Sequence, residues 1–134
     1  MKVRTLCVWF PMWSLAVARQ TRPDAPSDES VLVVDDRVTG ATADVLEAGV
    51  SLGMPRREAE ALAPFATVLN RDIGEETRSF EPVVALVEDL VPRVEVVSPG
   101  LMFVPVAGAV KFYGGEEALV GKIDEALHDN REGT

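Results

Sequence analysis

The chain has 134 residues, 47% hydrophobic and 26% charged, which excludes a disordered segment and fits one ordinary domain or part of a larger one. Its formal net charge is −9, with 22 acids against 13 bases. Gripping a duplex takes clustered Lys and Arg to displace counterions from phosphates, so tight autonomous DNA binding is disfavoured.

Cys7 is the single cysteine, so no internal disulfide forms. Its neighbours Leu6, Val8 and Phe10 predict a buried, reduced thiol in a reducing compartment. The opening Met1-Lys2-Val3-Arg4 is similar to a secretory n-region, but the apolar run after it breaks at Pro11 and Arg19 and no small-residue cleavage site follows. No stretch approaches the ~18 apolar residues of a membrane span. The expected location is cytoplasmic, with no membrane partner.

Thr5 to Phe10 is apolar and aromatic, ends at Pro11, and reads as a buried strand. Trp13 to Gln20 reads as a helix with Trp13, Ala16 and Val17 on one face. Thr21 to Ser30 holds Pro23, Pro26 and several acids and reads as a loop. Val31 to Val34 is a second buried strand, Asp35-Asp36 a turn, and Val38 to Thr42 a returning partner. Asp44 to Leu52 reads as a helix closed by Gly53. Pro55 suits the first turn of the next helix, Arg56 to Ala63, which Pro64 stops.

Thr67 to Asn70 reads as a short strand. The longest helix is Glu75 to Val91, with Phe80, Val83, Val84, Val87, Leu90 and Val91 at helical spacing and Pro82 inside it. Val94 to Ser98 and Leu101 to Val106 form a hairpin through Pro99-Gly100, with Pro105 confining the second strand to an edge or bulge. Glu116 to His128 is a last helix, with Leu119, Ile123, Ala126 and Leu127 inward and a polar tail after it. The fold class is α/β (α+β). A ferredoxin-like layer runs strand, helix, two strands, helix, strand. This order supplies all of it but the last strand, which would lie beside the first, so the first strand should have an open edge.

Four segments carry a family resemblance: Leu6 to Ala18, with its Trp9-Phe10-Pro11-Met12-Trp13 core; Ala41-Thr42-Ala43 leading to Gly49-Val50-Ser51-Leu52-Gly53-Met54-Pro55 and Glu58 to Pro64; Val94 to Leu101; and Phe112 to Leu119. In this order and spacing the chain resembles the fingers and palm of a Y-family (UmuC-like) translesion DNA polymerase, and most resembles the ImuB branch. The resemblance implies a partial ferredoxin-like polymerase palm, residues 1–10 and 78–134, lacking its last strand. A helix-rich fingers insertion would span residues 11–77.

Nucleotidyl transfer needs divalent metals held by carboxylates, because Mg2+ is a hard ion that wants oxygen ligands. The resemblance puts Trp9 and Pro11 in the two acidic positions of the first palm strand and Gly100 and Leu101 in those of the hairpin. Ser14 falls where the sugar-discriminating side chain would sit. Ala43 and Leu46 fall where a Tyr and an Arg would meet the triphosphate, and no Tyr or Arg lies from Thr39 to Leu52. These positions imply no metal site, no nucleotide site and no cofactor, Mg2+ belonging to active members, and the chain is expected not to be an enzyme. An adapter role in error-prone translesion repair follows, through protein contacts with a RecA-like accessory protein, a replicative-type polymerase and the sliding clamp. The thumb, the little-finger domain and the clamp-binding tail would lie beyond Thr134.

Other readings stay open. Trp9 and Trp13 are read as core residues, with a base-stacking platform as the alternative. Asp35 and Asp36 are read as a solvated turn rather than a metal pair. Arg56, Arg57, Arg71 and Arg78 are read as solvated partners of Glu58, Glu60, Glu75 and Glu76 rather than a basic patch. His128 and Cys7 lack companions for catalysis or redox chemistry. Two further function classes compete: a nucleotide- and metal-binding polymerase fragment using acids such as Asp35, Asp36 or Glu95, and an orphan α/β interaction module.

Overall fold

The structure, a computed structural model, describes residues 5–105 and 114–132. The order is β1 (Thr5–Trp9), α1 (Trp13–Gln20), β2 (Val31–Val34), β3 (Val38–Ala41), α2 (Ala43–Glu47), α3 (Arg56–Leu62), β4 (Thr67–Asn70), α4 (Ile73–Glu88), β5 (Glu95–Ser98), β6 (Leu101–Pro105) and α5 (Glu116–Glu132). The chain divides into two compact units. One is continuous, Phe10–Glu76; the other joins Met1–Trp9 to Thr77–Thr134.

In the continuous unit, β2 is the central strand of three. It pairs antiparallel with β3, Leu32 opposite Ala41, and parallel with β4, Val31 opposite Thr67. Successive strand side chains point to opposite faces, and all four residues of β2 are buried because both faces are covered. Leu32 and Val34 pack with Val45 of α2, Ala59 of α3, and Val50 and Ala63 beside them. Val31 and Val33 pack with Leu15 of α1, supported by Met12 and Ala18. Close approach on this second face requires a glycine in β3. A Cβ added at Gly40 would lie 3.1 Å from the Leu15 backbone nitrogen.

Several boundaries differ from the sequence pattern, the long helix ending at Glu88 rather than Val91 and the last helix running on to Glu132 rather than stopping at His128. The helix expected over Asp44 to Leu52 ends at Glu47, because Gly49 takes a left-handed φ of 108° and stops it there. Gly53, at φ 86°, turns the chain a second time, and its N–H donates to the Val38 carbonyl at 2.8 Å. The long helix begins at Ile73 rather than Glu75. Asp72 caps it, its side chain accepting the Glu75 N–H at 3.0 Å and its carbonyl the Glu76 N–H at 2.9 Å.

In the discontinuous unit, β1, β6 and β5 form an antiparallel sheet in that order, with Gly100 at φ 91° in the β5–β6 turn. Met102 and Val104 of β6 are buried, and Val8 and Leu6 stand opposite them on the same face. Phe80, Val83 and Val87 of α4 and Leu119 and Ile123 of α5 are buried at helical spacing. Among the described strands β1 is hydrogen-bonded on one side only, to β6.

The buried first strand and buried thiol are corrected. Along β1 Thr5, Cys7 and Trp9 are exposed, and Leu6 and Val8 half-buried. The apolar run has one covered face, not two. Among the described residues, no helix is long and apolar enough to cross a membrane.

Candidate functional site

The positions singled out in the sequence separate into two groups. In the antiparallel β1–β6 pair, Trp9 stands directly opposite Leu101. Gly100 precedes Leu101 in the turn and is buried, its positive φ setting the start of β6. Trp9 is 63% exposed, so it is not the core residue predicted. Its exposure follows from alternation: it shares a face with Cys7 and Thr5 rather than with Val8 and Leu6.

Pro11, Ser14, Ala43 and Leu46 belong to the continuous unit. Pro11 is exposed and Ser14 buried at the start of α1. Ala43 is exposed at the start of α2, whereas Leu46 packs into the core on the far side of the sheet from α1. The fold therefore does not bring Ser14 and Leu46 together. Trp13, half-buried, stacks at a tilt on Phe10 with centroids 5.5 Å apart, and its Nε1 donates to the Glu76 carbonyl at 3.0 Å. Ser14 and Glu76 both line a cleft of about 250 Å³, with Val17, Leu69, Asn70 and Asp72.

The strongest electrostatic node is one the sequence reading placed on the surface. Glu76 is 1% exposed, and Arg71 holds it with two hydrogen bonds, Nη2 to Oε1 at 2.6 Å and Nε to Oε2 at 3.2 Å. Arg71 Nη1 also lies 3.6 Å from Asp35. The Glu76 carboxylate raises the Arg71 pKa above its ordinary value, with Asp35 adding to the effect. This is a buried bidentate clamp, not a solvated pair. Its signal was the five-residue spacing of Arg71 and Glu76 across the β4-to-α4 corner, which helical periodicity does not read. By contrast Arg56–Glu60 is an exposed i,i+4 pair at 2.6 Å, as expected.

Three other acids, Asp35, Asp44 and Glu29, are held by local hydrogen bonds. Asp35 Oδ1 accepts the Arg37 N–H at 2.8 Å, and this bond, with Arg71 nearby, lowers its pKa. Both Asp35 and Asp36 are exposed, the solvated turn that was predicted. Asp44 accepts hydrogen bonds from the Ser30 and Thr42 hydroxyls, which lower its pKa in that order. Glu29 is held below the usual carboxylate range chiefly by its bidentate bond to Arg22, at 2.6 and 3.1 Å. Glu95 lies in β5, in the other unit. Among the described residues no group of three or more His, Cys, Asp or Glu side chains is gathered closely enough to hold a metal ion.

The chain belongs to the impB/mucB/samB family, the Y-family of DNA polymerases, whose model matches residues 8–133. Solved structures carry the same fold: the chain superposes on a post-insertion binary complex of Dbh DNA polymerase with a TM-score of 0.77 at 21% identity, over 96% of this chain and 39% of that one. An insertion ternary complex of Dbh DNA polymerase gives a TM-score of 0.74 at 20% identity, over 95% and 40%. DinB from Sulfolobus solfataricus gives 0.71 at 20% identity, over 95% and 39%. The chain thus spans about 40% of the length of such structures. No curated protein matches it.

The fold is a partial Y-family polymerase palm and fingers, as expected. The expectation that the chain is not an enzyme is corrected: its family is a family of polymerases, and its fold is shared with Dbh DNA polymerase. That expectation rested on side chains at a few aligned positions, Trp9, Pro11, Gly100 and Leu101 among them. A stretch spanning about 40% of a polymerase does not decide the activity of the whole. Family membership likewise removes the orphan-module reading.

Proposed function

We propose that this chain is the fingers-and-palm part of a longer Y-family protein that serves translesion DNA synthesis and DNA repair. The discontinuous unit is its palm and Phe10–Glu76 its fingers. We assign it to the ImuB branch, cytoplasmic and acting in damage-induced (SOS) mutagenesis, and infer that this part works as an adapter through protein contacts. Its partners on this reading are a RecA-like accessory protein, a replicative-type polymerase and, through regions other than this chain, the sliding clamp. DNA binding by this acidic part alone is weak, since a net charge of −9 opposes phosphate.

The observation that carries the reading is the Trp9–Leu101 pair. An indole that is 63% exposed, opposite a leucine, stands where the family resemblance puts metal-holding acids. Such a pair recognises apolar surface and offers Mg2+ no ligand. No cofactor is assigned to Trp9, Pro11, Gly100 and Leu101, and no nucleotide contact to Ser14, Ala43 and Leu46. Nucleotidyl transfer by the full-length protein therefore requires carboxylates placed by other residues.

Reconstituted lesion bypass tests the proposal. The full-length protein, the accessory protein and the replicative-type polymerase are mixed on a primed template bearing an abasic site. Bypass that needs the full-length protein supports this function; bypass undiminished by its omission contradicts it.

A further inference from the structure

The register of the β1–β6–β5 sheet defines a face that the fold leaves open. Directly opposed residues of antiparallel strands share a face. One row across the sheet is therefore Trp9, Leu101, Ser98, and the next is Cys7, Phe103, Glu95. Met102 and Val104 mark the covered side, where they are fully buried. On the open side Cys7 is exposed, Trp9 is 63% exposed, and Leu101 and Phe103 are half-buried. A lone exposed apolar residue is ordinary, but an apolar patch shared by two neighbouring strands, here Cys7 and Trp9 of β1 with Leu101 and Phe103 of β6, marks an interaction surface.

Charge selects the occupant. The three strands carry no Lys or Arg, and Glu95 supplies an acid beside Phe103. Stacking single-stranded nucleic acid on aromatics takes a positive groove along the backbone, and this face, in a chain of net charge −9, offers the reverse. A partner that matches it presents an apolar or aromatic anchor with basic residues around it. We propose that the open face of β1, β6 and β5, centred on Trp9 and Phe103 and rimmed by Glu95, is the docking surface for a protein partner whose apolar anchor is flanked by Lys or Arg. The proposal rests on the protein-contact reading above and names its surface.

Cys7 is a built-in reporter, since its thiol stands on this face and is the chain's single cysteine. The test uses the full-length protein with the purified RecA-like accessory protein or the replicative-type polymerase as probe. Alkylation at Cys7 is followed by peptide mass spectrometry, and binding by calorimetry. The expected result is that one of the two proteins slows Cys7 alkylation, and that Trp9→Ala weakens its binding by roughly tenfold or more. Glu95→Lys should also weaken binding, with a smaller salt dependence than the parent. Binding with the Cys7 rate unchanged overturns the proposed surface while leaving the protein-contact reading intact. If neither protein binds, that reading falls and the surface with it. Protection of Cys7 by a single-stranded oligothymidylate assigns the face to nucleic acid and overturns the proposal. The alkylation footprint needs no variant, and unchanged far-ultraviolet circular dichroism of Trp9→Ala keeps the binding loss from being a folding loss.

Discussion

Two short apolar strands, similar on paper, have opposite fates in this molecule. Val31-Leu32-Val33-Val34 is buried on both sides, between α1 on one face and α2 and α3 on the other. Thr5-Leu6-Cys7-Val8-Trp9 alternates, with Leu6 and Val8 on the covered side and Cys7 and Trp9 in solvent. An unbroken apolar run records which residues tolerate burial, not how many layers cover the strand. In the first case the run is structural. In the second the surplus of apolar side chains beyond what one covered face needs is the feature to explain, and it coincides with the Trp9–Leu101 pair.

Mutations should separate the two strands sharply. Leu32→Ala, at a position with no exposure, removes packing from a closed core and should cost about 2–5 kcal/mol in urea unfolding. A cost under about 1 kcal/mol would mean that the sheet is not covered as described. Glu76→Ala should come next, at about 2–3 kcal/mol, because it breaks a buried pair. The cost falls toward the low end because Arg71 keeps some solvent and Asp35. Wild-type stability in Glu76→Ala would show the clamp to be dispensable.

Gly40→Ala presses a methyl against the α1 backbone at Leu15 and should cost about 1–3 kcal/mol, through displacement of α1. The check is a lowered Tm together with loss of the Trp13 environment in near-ultraviolet circular dichroism. Acid effects are smaller and also belong to the continuous unit. Asp44, Glu29 and Asp35 all have folded pKa values below their ordinary ones. As pH drops, the unfolded chain takes up protons first. The stabilisation is therefore complete above the unfolded range near pH ~4 and is lost as pH falls through the depressed values. Asp44→Asn should flatten the urea-midpoint profile below that range, and an unchanged profile would remove Asp44 from the account. Smallest of all, Trp9→Ala should change stability by no more than about 0.5 kcal/mol, since the indole is mostly in water.

Much of the fold was legible because its elements are punctuated. Val31–Val34, Thr67–Asn70 and the helix Trp13–Gln20 lie where the sequence put them, each bounded by loop residues, acids or Pro11. The helix after Thr42 ends earlier than its pattern predicts because two glycines, Gly49 and Gly53, can each stop it and the first does. Either glycine can take positive φ, and both do. The site was less legible. That Trp9 faces water depends on register with Leu101, and that Glu76 is buried depends on the corner between β4 and α4; neither contact is local in sequence. The vacated positions were readable from the family pattern, but what they imply for activity was not, as the family's enzymatic character shows.

The measurement that bears most directly on the open sheet as the working surface is lesion bypass by the reconstituted full-length protein carrying Trp9→Ala, beside the wild type at equal Tm. The account predicts that bypass falls roughly tenfold, in line with loss of a docking anchor. Bypass equal to wild type, with the variant folded and stable, would contradict it.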